Sequence, residues 1–216
     1  MKVRMMNAVA ATALTLAALV VTSGAEAALV TRLGGKAIYD SVANLTWLQD
    51  ANYAKTSVYD ADGLMNWVQA NAWAGSLNID GVTGWRLPAG PMLGSGYNQT
   101  ASEIGNLFYN VLGGTAPASI AATHNANYDL FKNIQSNSYW SGVEASPTYA
   151  WAFTFSYGAQ YSDLKNTNMF GWAVRTGDVG ASPVPVPGAL ALMGPALLGL
   201  LGVKRSRRRT GAALGC

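Results

Sequence analysis

The chain has 216 residues, a formal net charge of +3, one histidine, and one cysteine, which is its last residue. These counts exclude an internal disulfide framework and a Cys/His zinc cluster. Lys2 and Arg4 stand at the front and Lys204, Arg205, Arg207, Arg208 and Arg209 at the back, so the middle is acidic and offers no basic patch to nucleic acid.

Residues 1–27 have the grammar of a secretory signal peptide. Lys2 and Arg4 form the positive start, an apolar run of Ala, Leu and Val follows, and Ala25-Glu26-Ala27 supplies small residues for signal peptidase. Cleavage is expected after Ala27. The apolar run is too short for a good membrane span.

Residues 28–180 are long enough for one domain with its own core. A hairpin is expected from residues 36–40 and 45–48. Asn66 is placed to cap a helix from Trp67 to about Leu77, with Trp67, Ala70, Ala74 and Leu77 on one face. Ser102 caps a second helix reaching Leu112, with Ile104, Leu107, Phe108 and Val111 inward and Gly113-Gly114 as its stop. A third helical turn is expected over residues 128–134, with Phe131 and Ile134 buried. Strands follow at 139–142, 149–155, 159–164 and 171–175. The run Tyr149-Ala150-Trp151-Ala152-Phe153-Thr154-Phe155 alternates large and small residues, which puts its four aromatics on one face of a strand. Helices that precede an antiparallel meander point to an α+β fold.

Beyond this domain, residues 181–188 are rich in proline, which fixes φ and removes backbone donors. Residues 189–203 carry no charge and form the expected transmembrane helix. As a helix they rise roughly 22 Å, less than the hydrocarbon core of about 30 Å, so residues from Val184 onward help to complete the span. Pro195 should kink it. Lys204, Arg205, Arg207, Arg208 and Arg209 stop it with residues 204–216 in the cytoplasm.

Candidate chemistry is sparse. His124 lies in a polar loop, and Ser141 sits in no Gly-x-Ser-x-Gly elbow. Gly94-Ser95-Gly96 is not followed by the helix that a phosphate loop needs. Asp60-Ala61-Asp62-Gly63 resembles the start of a calcium loop but lacks the later ligands, and reads as a helix-entry turn. No catalytic residue, cofactor or metal ligand is assigned. The seven tryptophans and ten tyrosines are the remaining signal. Trp67, Trp85, Trp140, Trp151 and Trp172 are read as core. Tyr97, Tyr157 and Tyr161, in or near turns, are the candidate ligand contacts. Arg86 and Arg175 are read as half-buried partners of carboxylates. Asn44 and Asn98 head glycosylation tripeptides, a weak match.

Several motifs recur in a specific order. Leu45-Thr46-Trp47-Leu48-Gln49-Asp50 is followed by the Trp67 helix, then Gly84-Trp85-Arg86-Leu87-Pro88, Tyr139-Trp140-Ser141-Gly142, Tyr149-Ala150-Trp151, and Trp172-Ala173-Val174-Arg175. Together they resemble the DUF1566 family, also called the Lcl C-terminal domain, from about Tyr39 to Asp178. That resemblance implies a C-type-lectin-like α+β fold, in which two main helices flank a loop-rich antiparallel sheet and the termini lie close together. The superfamily also holds formylglycine-generating enzymes. Their cysteine-dependent activity is not carried over, because this domain has no cysteine. The tail resembles the PEP-CTERM sorting signal cut by exosortases, membrane transpeptidases. Its motif here is Val184-Pro185-Val186-Pro187, with Val186 where the pattern has Glu.

The expected partners are therefore signal peptidase, an exosortase-like transpeptidase, the inner membrane transiently, and a glycan or exopolysaccharide. The expected location is the cell surface or extracellular matrix. An exported enzyme of unrecognised mechanism, or a purely structural matrix component, are the alternatives.

Overall fold

The computed structural model describes residues 29–180. The signal peptide, the sorting motif at 184–187, the expected span at 189–203 and the basic cluster lie outside the described residues. Among the described residues no helix is long and apolar enough to cross a membrane.

The chain mixes two sheets with a few short helices. It opens with β1 (Leu29–Arg32), β2 (Ala37–Asp40) and β3 (Leu45–Leu48). The expected hairpin is present, with Ala37 opposite Leu48 and Asp40 opposite Leu45. Asp40 Oδ1 accepts from the N–H groups of Val42 (2.9 Å) and Ala43 (3.0 Å), and Asn44 takes φ 52°, which together fold the turn. A single turn, α1 (Tyr53–Thr56), follows, then β4 (Leu64–Met65) and α2 (Trp67–Ser76). Asn66 caps α2 as expected. Its side chain accepts from the Gln69 N–H at 3.0 Å, and the Gln69 side chain accepts from the Asn66 N–H at 3.2 Å. The buried stripe of α2 is Ala70, Trp73 and Ala74; Trp67 and Leu77 are half-buried.

After β5 (Gly96–Tyr97), Ser102 caps α3 (Glu103–Asn106). The helix widens into a π-helical turn at Leu107–Val111, with Leu107, Phe108 and Val111 buried. The expected second helix is thus two helical types end to end. A turn of helix, α4 (Ile120–Thr123), precedes a 3₁₀ turn at Ala126–Leu130, earlier than the expected 128–134. Phe131, just after it, is buried, while Ile134 packs on the core only partly.

The second sheet has its centre in β6 (Ser138–Glu144), β7 (Tyr149–Thr154) and β8 (Ala159–Leu164), an antiparallel meander. The strand expected at 171–175 forms only at its end, and a separate short strand precedes it in the other sheet. Strand β9 (Met169–Phe170) lies between β4 and β6, and its pairing with β6 is parallel. Strand β10 (Val174–Thr176) crosses to β3. Gly171 marks the break: a Cβ there would come within 2.9 Å of the Trp73 ring, so the backbone passes flush against an indole. The strand orders are β1-β2-β3-β10 and β4-β9-β6-β7-β8-β5.

Trp47, Trp73, Trp85, Trp140 and Trp172 are fully buried, in line with a core built on aromatics rather than disulfides. Trp67 and Trp151 are only half-buried. On β7 the alternation holds, but both sheet faces are covered, so Ala150 and Ala152 are buried as well, while Tyr149, at the start of the strand, is exposed. The ends of the domain meet. Arg32 donates to both oxygens of Asp178 at 2.6 and 2.7 Å, Thr46 Oγ1 donates to the Gly177 carbonyl at 2.7 Å, and the Gly177 N–H reaches the Asn44 carbonyl at 2.8 Å.

Candidate functional site

A polar groove of about 460 Å³ opens beside the β4 edge, lined by Asn52, Lys55, Thr56, Asp62, Leu64, Asn133, Gln135 and Phe170. A smaller hollow of about 170 Å³ is lined by Gly35, Lys36, Gln49, Asp50, Tyr53 and Lys132. Asp50 links the two. It lines the hollow, and its carboxylate organises the groove: Oδ2 accepts from Thr56 Oγ1 at 2.8 Å and from Asn133 Nδ2 at 3.0 Å. Its Oδ1 takes the Asn52 N–H at 2.8 Å, which starts α1.

Backbone pairing brings the distant segment 132–135 here. The Ala51 N–H reaches the Lys132 carbonyl at 2.9 Å, and the Lys132 N–H reaches the Gln49 carbonyl at 2.8 Å. Asn133 then turns with φ 54°, a left-handed conformation that Asn tolerates. Gln135 is held by its own donation to the Asn133 carbonyl at 2.7 Å and by its N–H on the buried Tyr139 hydroxyl, also at 2.7 Å. Burial pushes the Tyr139 phenol well above its ordinary value, so it stays protonated.

The opposite wall is a pair of tight turns. Asp60 Oδ1 accepts from the N–H groups of Asp62 (3.1 Å) and Gly63 (2.8 Å), and Asp62 Oδ1 accepts from Leu64 N–H at 2.9 Å. Partial burial works against the Asp60 charge, but the Gly63 and Asp62 N–H groups outweigh it and hold its carboxyl below the usual range. These turns feed β4 directly rather than opening a helix. Gly63 (φ 86°) lies against Asn52: a Cβ there would sit 1.9 Å from Asn52 Oδ1, a buried atom that has no hydrogen-bond donor among the described residues.

Residues 29–180 contain four lysines, and three of them, Lys36, Lys55 and Lys132, line these two depressions. Lys36 pairs with Asp80 at 2.6 Å; Lys55 and Lys132 have no ion-pair partner among the described residues. Sequence reasoning missed this site. Its residues come from four separate stretches, and the one visible sign was the placement of scarce lysines in an acidic domain.

The three expected contact residues part company. Tyr97 and Tyr157 are exposed and stand edge to face, with ring centres 6.3 Å apart. They belong to the β5 edge, at the far side of the sheet from the groove. Tyr161 is not with them. It lies across the small Ala152 and donates to Ser138 Oγ at 2.6 Å, half-buried, with its phenol pushed up by desolvation.

The other singled-out residues make contacts within the domain. Ser141 is buried and its hydroxyl donates to the Pro88 carbonyl at 3.0 Å. His124 stacks on Tyr128, 4.1 Å between ring centres. Arg86 pairs with a carboxylate, Glu103, as expected; Arg175 does not, and donates to the Thr83 carbonyl at 2.8 Å. Among the described residues no group of three or more His, Cys, Asp or Glu is placed to hold a metal ion.

Compared with known families, residues 36–175, more than half of the chain, match the model described as the Lcl C-terminal domain. That span takes in the groove and both tyrosines. No curated protein matches the chain.

Proposed function

The chain belongs to the Lcl C-terminal domain family, and we propose that it is an exported, non-catalytic surface or matrix protein that binds glycan or exopolysaccharide in the groove beside β4. The observation that carries this reading is the Asp50 carboxylate, which fixes Thr56 and Asn133 at the groove. Fixed amides, hydroxyls and carboxylates over a Leu64 and Phe170 floor suit a ligand made of hydroxyls and C–H faces, and no conformational entropy is lost in ordering them on binding. Lys55 in the groove, with Lys132 in the adjoining hollow, favours sugar units that carry a carboxylate.

The rest of the reading follows from the sequence. A C-type-lectin-like fold agrees with the close ends and the two main helices. Signal peptidase would cut after Ala27. An exosortase-like transpeptidase would act near Val184-Pro185-Val186-Pro187 while residues 189–203 hold the chain transiently in the inner membrane. The product is then displayed at the surface or in the matrix.

The test is retention on immobilised alginate, with dextran as the neutral control, using the full chain in detergent. Lys55→Ala with Asn133→Ala should weaken alginate binding by about tenfold or more. Wild-type protein that ignores both polymers, or a double variant that binds as well as wild type, would overturn the reading.

A further inference from the structure

We infer that the Tyr97–Tyr157 pair is a second carbohydrate contact, and that the domain bridges two polymer strands, one at each edge of its larger sheet. The inference rests on the groove reading above.

The pair is built rather than incidental. Tyr97 is 49% and Tyr157 43% exposed, large apolar faces offered to solvent. One hydroxyl ties down the backbone beside both. Tyr109 accepts the N–H of Asn98, the residue after Tyr97, at 2.9 Å, and donates to the carbonyl of Gly158, the residue after Tyr157. Asn98 takes φ 59° and Gly158 φ 74°, so both backbones are set in tight left-handed turns. Two exposed rings packed edge to face, 87° between planes, on backbone that is already fixed, offer flat faces and hydroxyls with little backbone freedom to lose on binding. That suits the alternating C–H and hydroxyl faces of a sugar ring. A protein partner adding a strand would find little here, because β5 has only 2 residues.

Register places the two sites apart. Leu64 opposes Phe170, Phe170 opposes Tyr139, Tyr139 opposes Phe153, Phe153 opposes Gln160, and Gln160 opposes Gly96, so these share one face. Tyr97 follows Gly96 and therefore belongs to the other face. Strands β4 and β5 are the two edges. Five spacings of about 4.8 Å put them on the order of 24 Å apart. Sites on opposite edges and opposite faces do not line one continuous track; they engage two strands.

The experiment uses alginate-coated beads and short alginate oligosaccharides with the full chain in detergent. Wild type should bind the oligosaccharide and clump the beads. Tyr97→Ala with Tyr157→Ala should keep groove affinity within about twofold and lose clumping by about tenfold, since avidity is lost with one of two contacts. The single variant Tyr157→Ala, which leaves the edge strand untouched, should move the same way. Clumping equal to wild type in both variants would overturn the inference. Wild type that binds oligosaccharide without clumping beads would overturn the bridging and leave the groove reading standing. Failure to bind oligosaccharide at all removes the groove reading, and the inference with it.

Discussion

Arg86 and Glu103 meet in a two-pronged pair, Nη1 to Oε2 at 2.7 Å and Nη2 to Oε1 at 2.8 Å. Glu103 Oε2 also accepts the Ala89 N–H at 2.7 Å. The pair ties the Trp-Arg-Leu-Pro segment to the first turn of α3, and the Arg86 N–H and carbonyl join that segment to Val174 in β10. Glu103→Gln should destabilise the domain by about 1.5–3 kcal/mol, because charge-assisted bonds are lost while Arg86 stays charged. Arg86→Lys should also destabilise it, since an ammonium keeps the charge but cannot make the fork. Urea unfolding at constant slope checks both, and an Arg86→Lys variant as stable as wild type would refute the two-pronged account.

Trp85 is 2% exposed and its Nε1 donates to the Val82 carbonyl at 3.0 Å. Trp85→Ala should cost about 3–5 kcal/mol. Normal stability combined with lost alginate binding would instead make Trp85 a contact residue.

Gly63→Ala should destabilise by about 1–3 kcal/mol. The left-handed backbone and the clash with Asn52 Oδ1 both act against the new methyl. Adding Asn52→Gly removes the clash alone, so it should recover part of the loss. Thermal midpoints of the two variants decide, and no recovery would mean that the backbone strain accounts for everything.

Arg32 holds the Asp178 carboxyl below its usual range, chiefly through the paired hydrogen bonds. A depressed folded pKa means stability that is present above the unfolded value of about 3.9 and lost as pH falls through the folded value. Asp178→Asn should therefore lower the melting temperature at pH 7 and leave it nearly unchanged at the most acidic end. Melting curves across that range check this; a constant offset at every pH would sink it.

For the tail, intact-mass measurement of protein from its native host should give a chain that starts after Ala27 and ends near Pro187. A mass that includes Cys216 would leave a permanently anchored protein instead.

How much was legible in the sequence depended on how local each signal is. Asn66 and Ser102 announced their helices because a cap is read from a few adjacent residues, and both cap bonds are present. The hairpin of β2 and β3 was legible for the same reason. Strands of 2 residues, such as β4, β5 and β9, have no periodicity to read. The exchange of sheets at Gly171 depends on Trp73, far away in the chain, and no local pattern reports it. Tyr161 misled because its turn-side position suggested exposure, while its hydroxyl is held by Ser138, a residue of another strand. The groove depends on pairing between Ala51 and Lys132, again a relation between remote segments.

The fastening of the two ends has a mechanical consequence. A pull applied beyond Gly180 would reach the buried Val179 and then, directly behind it, Asp178 and Gly177. Strand β10 cannot peel from β3 until the Arg32 fork, the Thr46 hydroxyl and the Asn44 carbonyl have all let go. Those bonds converge on two adjacent residues and would share the load, so tension entering from this end would meet a latch before the sheet.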